Sequence, residues 1–199
     1  MSADKPFIIG LTGSIAMGKS QTARLFADEG IPVFDADAVV HDLYAGSAAQ
    51  WIERQFPGAA PGGVVDRAAL SAQVTGDAAA LARLEAIMHP LVARMQDRFL
   101  REHAHASIVL LDIPLLLETA TPVDAVVVAS APSQVQRARV LARPGMSEEK
   151  FAALLSRQMS DAQKRQQAHY VVMTDKGLDH ARDQVKMILA DIRVKLAQA

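Results

Sequence analysis

Five short aliphatic runs punctuate the chain, and each one stops at a polar or glycine-containing turn. They occupy residues 7–11, 31–34, 108–111, 125–129 and 170–173. None alternates between apolar and polar positions. Continuous runs of this length with helical patterns between them predict strands of a parallel sheet covered on both faces. Pro32 opens the second run, where a missing N–H is tolerated. Apolar residues recur at helical spacing over 18–29, with Gly30 as the stop, and over 134–141, 148–167 and 178–197. The chain therefore reads as α/β.

One interval breaks the regular spacing. Roughly seventy residues separate the second run from the third, whereas a crossover between parallel strands needs only about a dozen. That interval carries its own helical patterns at 38–43, 48–55 and 78–102, a loop-like Gly-Ala-Ala-Pro-Gly-Gly at 58–63, and His89-Pro90, read as the end of one helical segment and the start of another. It predicts a helical lobe over about 38–105, inserted beside the carboxyl edge of the sheet, where open α/β sheets bind ligands. The rest of a single 1–199 domain is a core of 1–37, 106–133 and 168–199, with a segment of about 134–167 between them.

Composition narrows the function. The 199 residues include no cysteine and no asparagine, which removes disulfides, thiolate chemistry and N-linked glycosylation. A net charge of −1 lacks the basic footprint of a nucleic-acid binder. No apolar run reaches the length of a membrane span, and the N-terminal stretch lacks the form of a secretory signal. The expectation is a cytoplasmic protein with no membrane, nucleic-acid or obligate protein partner.

The first turn carries the chemistry. Gly13-Ser14-Ile15-Ala16-Met17-Gly18-Lys19-Ser20 fits G-x-x-x-x-G-K-[ST], with a strand before it and a helix after it. Gly13 and Gly18 allow a tight turn that approaches phosphates. The loop N–H groups and the helix N-terminus form an anion cradle. Lys19 brings a cation to the β- and γ-phosphates of a nucleotide, and the Ser20 hydroxyl can ligate magnesium. Asp35 and Asp37 close the second strand. Aspartate is a favoured helix cap, and a carboxylate here can also orient or deprotonate an acceptor hydroxyl. Both readings hold together, with Asp35 capping or joining the metal network and Asp37 serving the acceptor. Asp112, ending the third strand, resembles a carboxylate that holds magnesium, in some cases through water. Arg139 and Arg143, four apart and next to Pro144-Gly145, are phosphate-contacting candidates on one helix face. Arg157, Lys164 and Arg165 follow on the next helix as surface charge. The six histidines lack the spacing of a metal set.

These residues resemble the dephospho-coenzyme A kinase family. The resemblance rests on I-x-G-L-T-G-S-I-A-M-G-K-S, F-A-D-E-G-I-P-V-F-D-A-D, H-P-L and D-I-P-L-L-L-E, which occur in that order over most of the chain. It implies a P-loop kinase-type three-layer fold: a five-stranded parallel sheet, an inserted helical substrate lobe and a helical lid. It implies transfer of phosphate from ATP, with magnesium, to the ribose 3′-hydroxyl of dephospho-coenzyme A. By that analogy residues 13–21, Gln21 included, bind ATP. Asp37 is the acceptor's base, Arg139 and Arg143 are lid contacts, and His89 and Pro90 lie in the coenzyme A lobe. Thr174 stands where the family has an adenine-contacting asparagine. Ser14 and Ala16 replace glycines, Gln21 replaces threonine, and Lys164 replaces arginine. The alternatives are another small-molecule P-loop kinase, or a nucleotide-dependent switch. The aspartate pair and the large lobe favour catalysis over a switch.

Overall fold

The computed structural model describes residues 5–156 and 158–198, so Arg157 lies outside the described residues. The five apolar runs become β1 (Phe7–Thr12), β2 (Val33–Asp35), β3 (Ile108–Asp112), β4 (Ala125–Ser130) and β5 (Tyr170–Met173). They form one sheet in the order β2-β3-β1-β4-β5. The β1–β3, β1–β4 and β4–β5 pairs run parallel. Chain order reverses on either side of β1, so its carboxyl end is a topological switch point, where a crevice forms in such sheets. Thr12, Asp112, Ser130 and Met173 all end strands on that edge.

The helices are α1 (Lys19–Asp28), α2 (Ala36–Tyr44), α3 (Ala49–Gln55), α4 (Arg67–Val74), α5 (Ala78–Glu102), α6 (Ser133–Leu141), α7 (Glu148–Leu155), α8 (Asp161–Gln166) and α9 (Leu178–Gln198), with a 3-10 turn at Pro61–Gly63. Four details correct the sequence reading. The second strand begins at Val33, because the Ile31 N–H donates to Phe26 O and closes α1 instead. The expected helix over 148–167 is two helices. The Ser160 hydroxyl accepts from Gln163 N, and Gln163 reaches back to the Ser160 N–H, a capping box that starts α8 afresh. Helix α4 was not foreseen, although Asp66 caps it by accepting from Ala68 N and Ala69 N. His89-Pro90 does not divide α5. Pro90 sits inside a continuous 25-residue helix. An interior proline costs about 3 kcal/mol, and packing against α2, α3 and α4 sustains the helix across it.

Contacts divide the chain into two compact units, Met1–Phe34 with His103–Ala199, and Asp35–Glu102. In the first, α1 and α9 pack together against one face of the sheet. Phe26, Leu11, Leu110, Val127 and Ile192 fill the space between them, each fully buried. On the opposite face Leu116 covers Val126 and Val128. The second unit is helical. Leu43, Ile52, Phe56, Leu70 and Met88 form its own core. No helix of the described residues is long and apolar enough to cross a membrane.

Phe26 is 0% exposed, at the junction of α1, the sheet and α9, whereas Met187 on α9 is 71% exposed. Phe26→Ala is expected to lose about 3–5 kcal/mol of stability through the cavity it leaves. Met187→Ala should stay within about 0.5 kcal/mol of the unaltered chain. Urea unfolding of both variants checks this. Equal losses in the two would displace the core from Phe26.

Candidate active site

The turn after β1 is held open by other elements. Its carbonyls are occupied one after another. Ile15 O accepts from Gln136 Nε2 at 2.9 Å, Ala16 O from Arg139 at 3.3 Å, Met17 O from the Thr174 hydroxyl at 2.9 Å, and Gly18 O from Thr22 N at 3.0 Å. Met17 N donates to Ser14 O, and the Ala131 N–H meets Met17 Sδ at 3.2 Å. By contrast, the N–H groups of Ser14, Ala16 and Gly18 have no hydrogen-bond partner among the described residues. The loop's acceptors are thus consumed by protein, while a set of its donors is left over. With the unbonded N–H groups that any helix start presents, this turn has the chemistry of an anion site.

Two glycines make the turn possible. A Cβ on Gly13 would sit 2.8 Å from Ala129 O, closer than real side chains come to backbone. Gly18 has φ of 89°, and a Cβ there would meet Thr174 at 3.0 Å. Ala16, where the family pattern has glycine, is also left-handed, with φ of 59°, and carries strain of order 1 kcal/mol. Buried Ser14 presents a hydroxyl with no partner among the described residues.

At the mouth of the turn, Lys19 Nζ lies 2.8 Å from Asp112 Oδ1, with the carboxylate side chain only 2% exposed. The register Leu11↔Asp112 explains the meeting, since the parallel pairing of β1 and β3 ends both strands together. Ser20 and Gln21 are exposed in the first turn of α1.

Thr174 serves the loop rather than standing clear of it. Its hydroxyl accepts from Arg139 Nη1 at 2.9 Å, and its carbonyl accepts from Arg139 Nη2 at 2.6 Å. Arg139 is therefore a brace between the turn and the β5 end. Arg143 does not share its helix face. Helix α6 ends at Leu141, ahead of Pro144, which disfavours helical geometry in the residue before it. Arg143 is exposed, and its side chain has no bond or ion pair among the described residues. In the second unit, Asp35 accepts from Ala38 N at 3.0 Å as the N-cap of α2, and Asp37 lies in the first turn of that helix. His89 and Pro90 are exposed positions of α5.

Sequence reasoning missed Gln136, 5% exposed and bonded to the loop, because glutamine in a helix carries no distinguishing pattern. It also read Lys164 as surface charge. Lys164 is 0% exposed, with its Nζ 2.8 and 3.1 Å from the two Glu118 oxygens. Burial pushes the Glu118 carboxyl up, but the bonds from Lys164 and Met159 N outweigh it and hold the group below the usual carboxylate range. The signal was present in D-I-P-L-L-L-E, whose last residue is this carboxylate. Among the histidines, His169 Nδ1 accepts from Val126 N, and His41 Nδ1 accepts from Arg67.

Comparison with known proteins places the chain in a family. The family description "Dephospho-CoA kinase" matches residues 7–180. A dephospho-CoA kinase of Mesorhizobium japonicum is 55% identical over 94% of this chain and 96% of its own. One from Rhodopseudomonas palustris is 56% identical over 92% of this chain and 94% of its own. A crystal structure of a Thermus thermophilus protein superposes with a TM-score of 0.83 at 35% identity, over 94% of this chain and 98% of that one. A family match across most of the length, together with two relatives more than half identical, establishes that this chain belongs to the dephospho-CoA kinase family.

Proposed function

We propose that the chain transfers the γ-phosphoryl group of ATP to the ribose 3′-hydroxyl of dephospho-coenzyme A, giving coenzyme A and ADP. The observation that carries this reading is the turn after β1, in which protein groups occupy the carbonyls and leave N–H donors for phosphate. In the transfer, the acceptor oxygen forms a bond to the γ-phosphorus while the bond from that phosphorus to the β-bridging oxygen breaks. The hydroxyl proton passes to the Asp37 carboxylate. Lys19 leaves Asp112 for the β- and γ-phosphate oxygens, where negative charge must be neutralised. The spare donors of the turn and the Ser14 hydroxyl hold the phosphates in place. Arg143, exposed and with no side-chain partner among the described residues, is the cation that meets the transferring group.

The donor set suits magnesium. Asp112 and Ser20 offer hard oxygens, and the ion is ordinarily held by one or two protein groups with phosphates and water. Magnesium supplies charge neutralisation at the phosphates. Asp112, released from Lys19, and Ser20 would hold it. The second unit supplies the acceptor site, with Asp35, Asp37, His89 and Pro90 among its contacts. Thr174, at the loop, lies along the nucleotide's path. A cytoplasmic place, where ATP is abundant, accords with this reaction.

The direct test is ATP consumption with dephospho-coenzyme A beside adenosine monophosphate and shikimate. Selective turnover of the first supports the proposal, and turnover of either other acceptor alone sinks it. Four variants assign the roles. Lys19→Met should lower turnover about a hundredfold or more. It should also lower stability, because the buried Asp112 loses its ammonium, so kinetics are read below the variant's melting temperature. Asp37→Asn should cut turnover by about two to four orders of magnitude while calorimetry still finds ATP binding. An active Asp37→Asn beside a dead Asp35→Asn would reverse the two aspartates. Arg143→Ala should lower kcat strongly with little change in ATP affinity, since its contact strengthens in the transition state. An unchanged kcat removes Arg143 from the site.

A further inference from the structure

The reaction as proposed leaves one buried ionic group without a task. The Lys164 ammonium, wholly inaccessible, bonds both oxygens of Glu118, at 2.8 and 3.1 Å, and lies 3.4 Å from Pro114 O. Pro114 O also accepts from the Thr12 hydroxyl at 2.8 Å, and Thr12 is the residue directly before Gly13. Glu118 Oε1 accepts from the Met159 N–H at 3.0 Å, just ahead of α8. Three segments therefore meet at one ion pair: the entry to the phosphate turn, the chain leaving Asp112, and the start of α8. A second bond ties α8 to the sheet, from the Ser130 hydroxyl to Asp161 Oδ2 at 2.8 Å.

The same inspection limits what can move. Helix α6 is fixed to the turn by Gln136 and Arg139. Helix α8 is fixed by Lys164 and Asp161. Between these two attachments, α7 is linked to α6 by the Arg137–Glu148 pair. Stability alone does not call for a buried ion pair, since apolar residues of similar volume commonly serve as well or better. An ammonium with several directed bonds to separate segments can hold them in one register.

We infer that Lys164 and Glu118 are positioning residues for phosphoryl transfer: their pair is the fixed post at the C-terminal end of the lid, holding it in register with Thr12 and Asp112. The moving part of the lid is then 142–156, shorter than the 134–167 expected from the sequence. The inference rests on the kinase reading above.

The experiment compares Lys164→Met/Glu118→Leu, which removes both charges together, with Lys164→Arg, which keeps donors for Glu118. The double variant should melt within a few degrees of the unaltered protein. Its kcat should fall about tenfold to a hundredfold, since small misplacements of reacting groups cost that much, while KM for ATP stays within about threefold. Lys164→Arg should keep kcat within about threefold. A folded double variant with unaltered kcat makes the pair purely structural and overturns the inference. Hydrogen exchange on the unaltered protein decides the matter even if the double variant fails to fold. Amides of Asp161–Gln166 should be protected without nucleotide, and those of Glu148–Leu155 should exchange quickly until a non-hydrolysable ATP analogue slows them. Equal exchange in both helices overturns the fixed post. Absence of turnover with dephospho-coenzyme A in the unaltered protein would count against the reaction rather than the post, and the exchange comparison would still test the post.

Discussion

The phosphate turn depends on an asymmetry in how its backbone is satisfied. Every peptide unit brings one donor and one acceptor, and burial obliges each to find a partner. Here the acceptors of Ile15, Ala16 and Met17 are taken by Gln136, Arg139 and Thr174, side chains from α6 and the β5 end. The donors of Ser14, Ala16 and Gly18 have no partner among the described residues. A loop whose carbonyls were free would repel phosphate as readily as its N–H groups attract it. Gln136, Arg139 and Thr174 therefore orient the peptide dipoles before any ligand arrives, so the cost of ordering the loop is met in folding rather than in binding.

The same constraint explains the arrangement of the sheet. Gln136 follows β4, Thr174 follows β5 and Asp112 ends β3, so three strands besides β1 must finish at one level. Parallel pairing with the observed registers delivers that alignment. Once aligned, opposite charges come together. The Lys19–Asp112 pair is nearly dry, and such a pair adds little to stability while its loss is costly. In the reaction proposed above, nucleotide binding exchanges partners rather than simply adding one: phosphate would take Lys19, and a cation would take the place of the ammonium at Asp112.

Much of this was legible in the sequence, and for identifiable reasons. The strands appeared because they are buried on both faces and so read as unbroken aliphatic runs. The turn appeared because phosphate chemistry demands glycines and a lysine at fixed spacing. Asp112 appeared because a carboxylate closing an aliphatic strand is conspicuous. What the sequence concealed depended on pairing across distance. Gln136 looks like a surface residue of a helix until α6 is laid on the turn, and Arg139, singled out as a phosphate contact, gave no sign that it also braces the turn and Thr174. Arg143 was placed on the face of Arg139 by spacing alone, and Pro144 ended the helix before that spacing could apply. The break between α7 and α8 was hidden because Ser160 and Gln163 cap a helix without interrupting its apparent polarity. Lys164 was misread for a related reason: a lysine's burial is decided by the carboxylate it meets, and Glu118 lies 46 residues away.

Ala16 shows how such a site tolerates a departure from its family's pattern. Its left-handed backbone is the conformation that glycine adopts at little steric cost, and alanine holds it at a cost of order 1 kcal/mol. That strain persists only where the surroundings determine the backbone independently of the residue itself. Here they do. Ala16 O is fixed by Arg139, and the neighbouring carbonyls of Ile15 and Met17 are fixed by Gln136 and Thr174. Relaxing Ala16 would break bonds on both sides of it. The braces that orient the donors toward phosphate thus also hold the strained residue, and the chain can carry a methyl group where the family pattern has none. The methyl group in turn narrows the conformations open to the loop, since alanine has fewer than glycine. That narrowing disfavours the left-handed conformation the turn uses, so the methyl group adds strain without pre-organising the turn, and it is the bonds from Gln136, Arg139 and Thr174 that hold the shape.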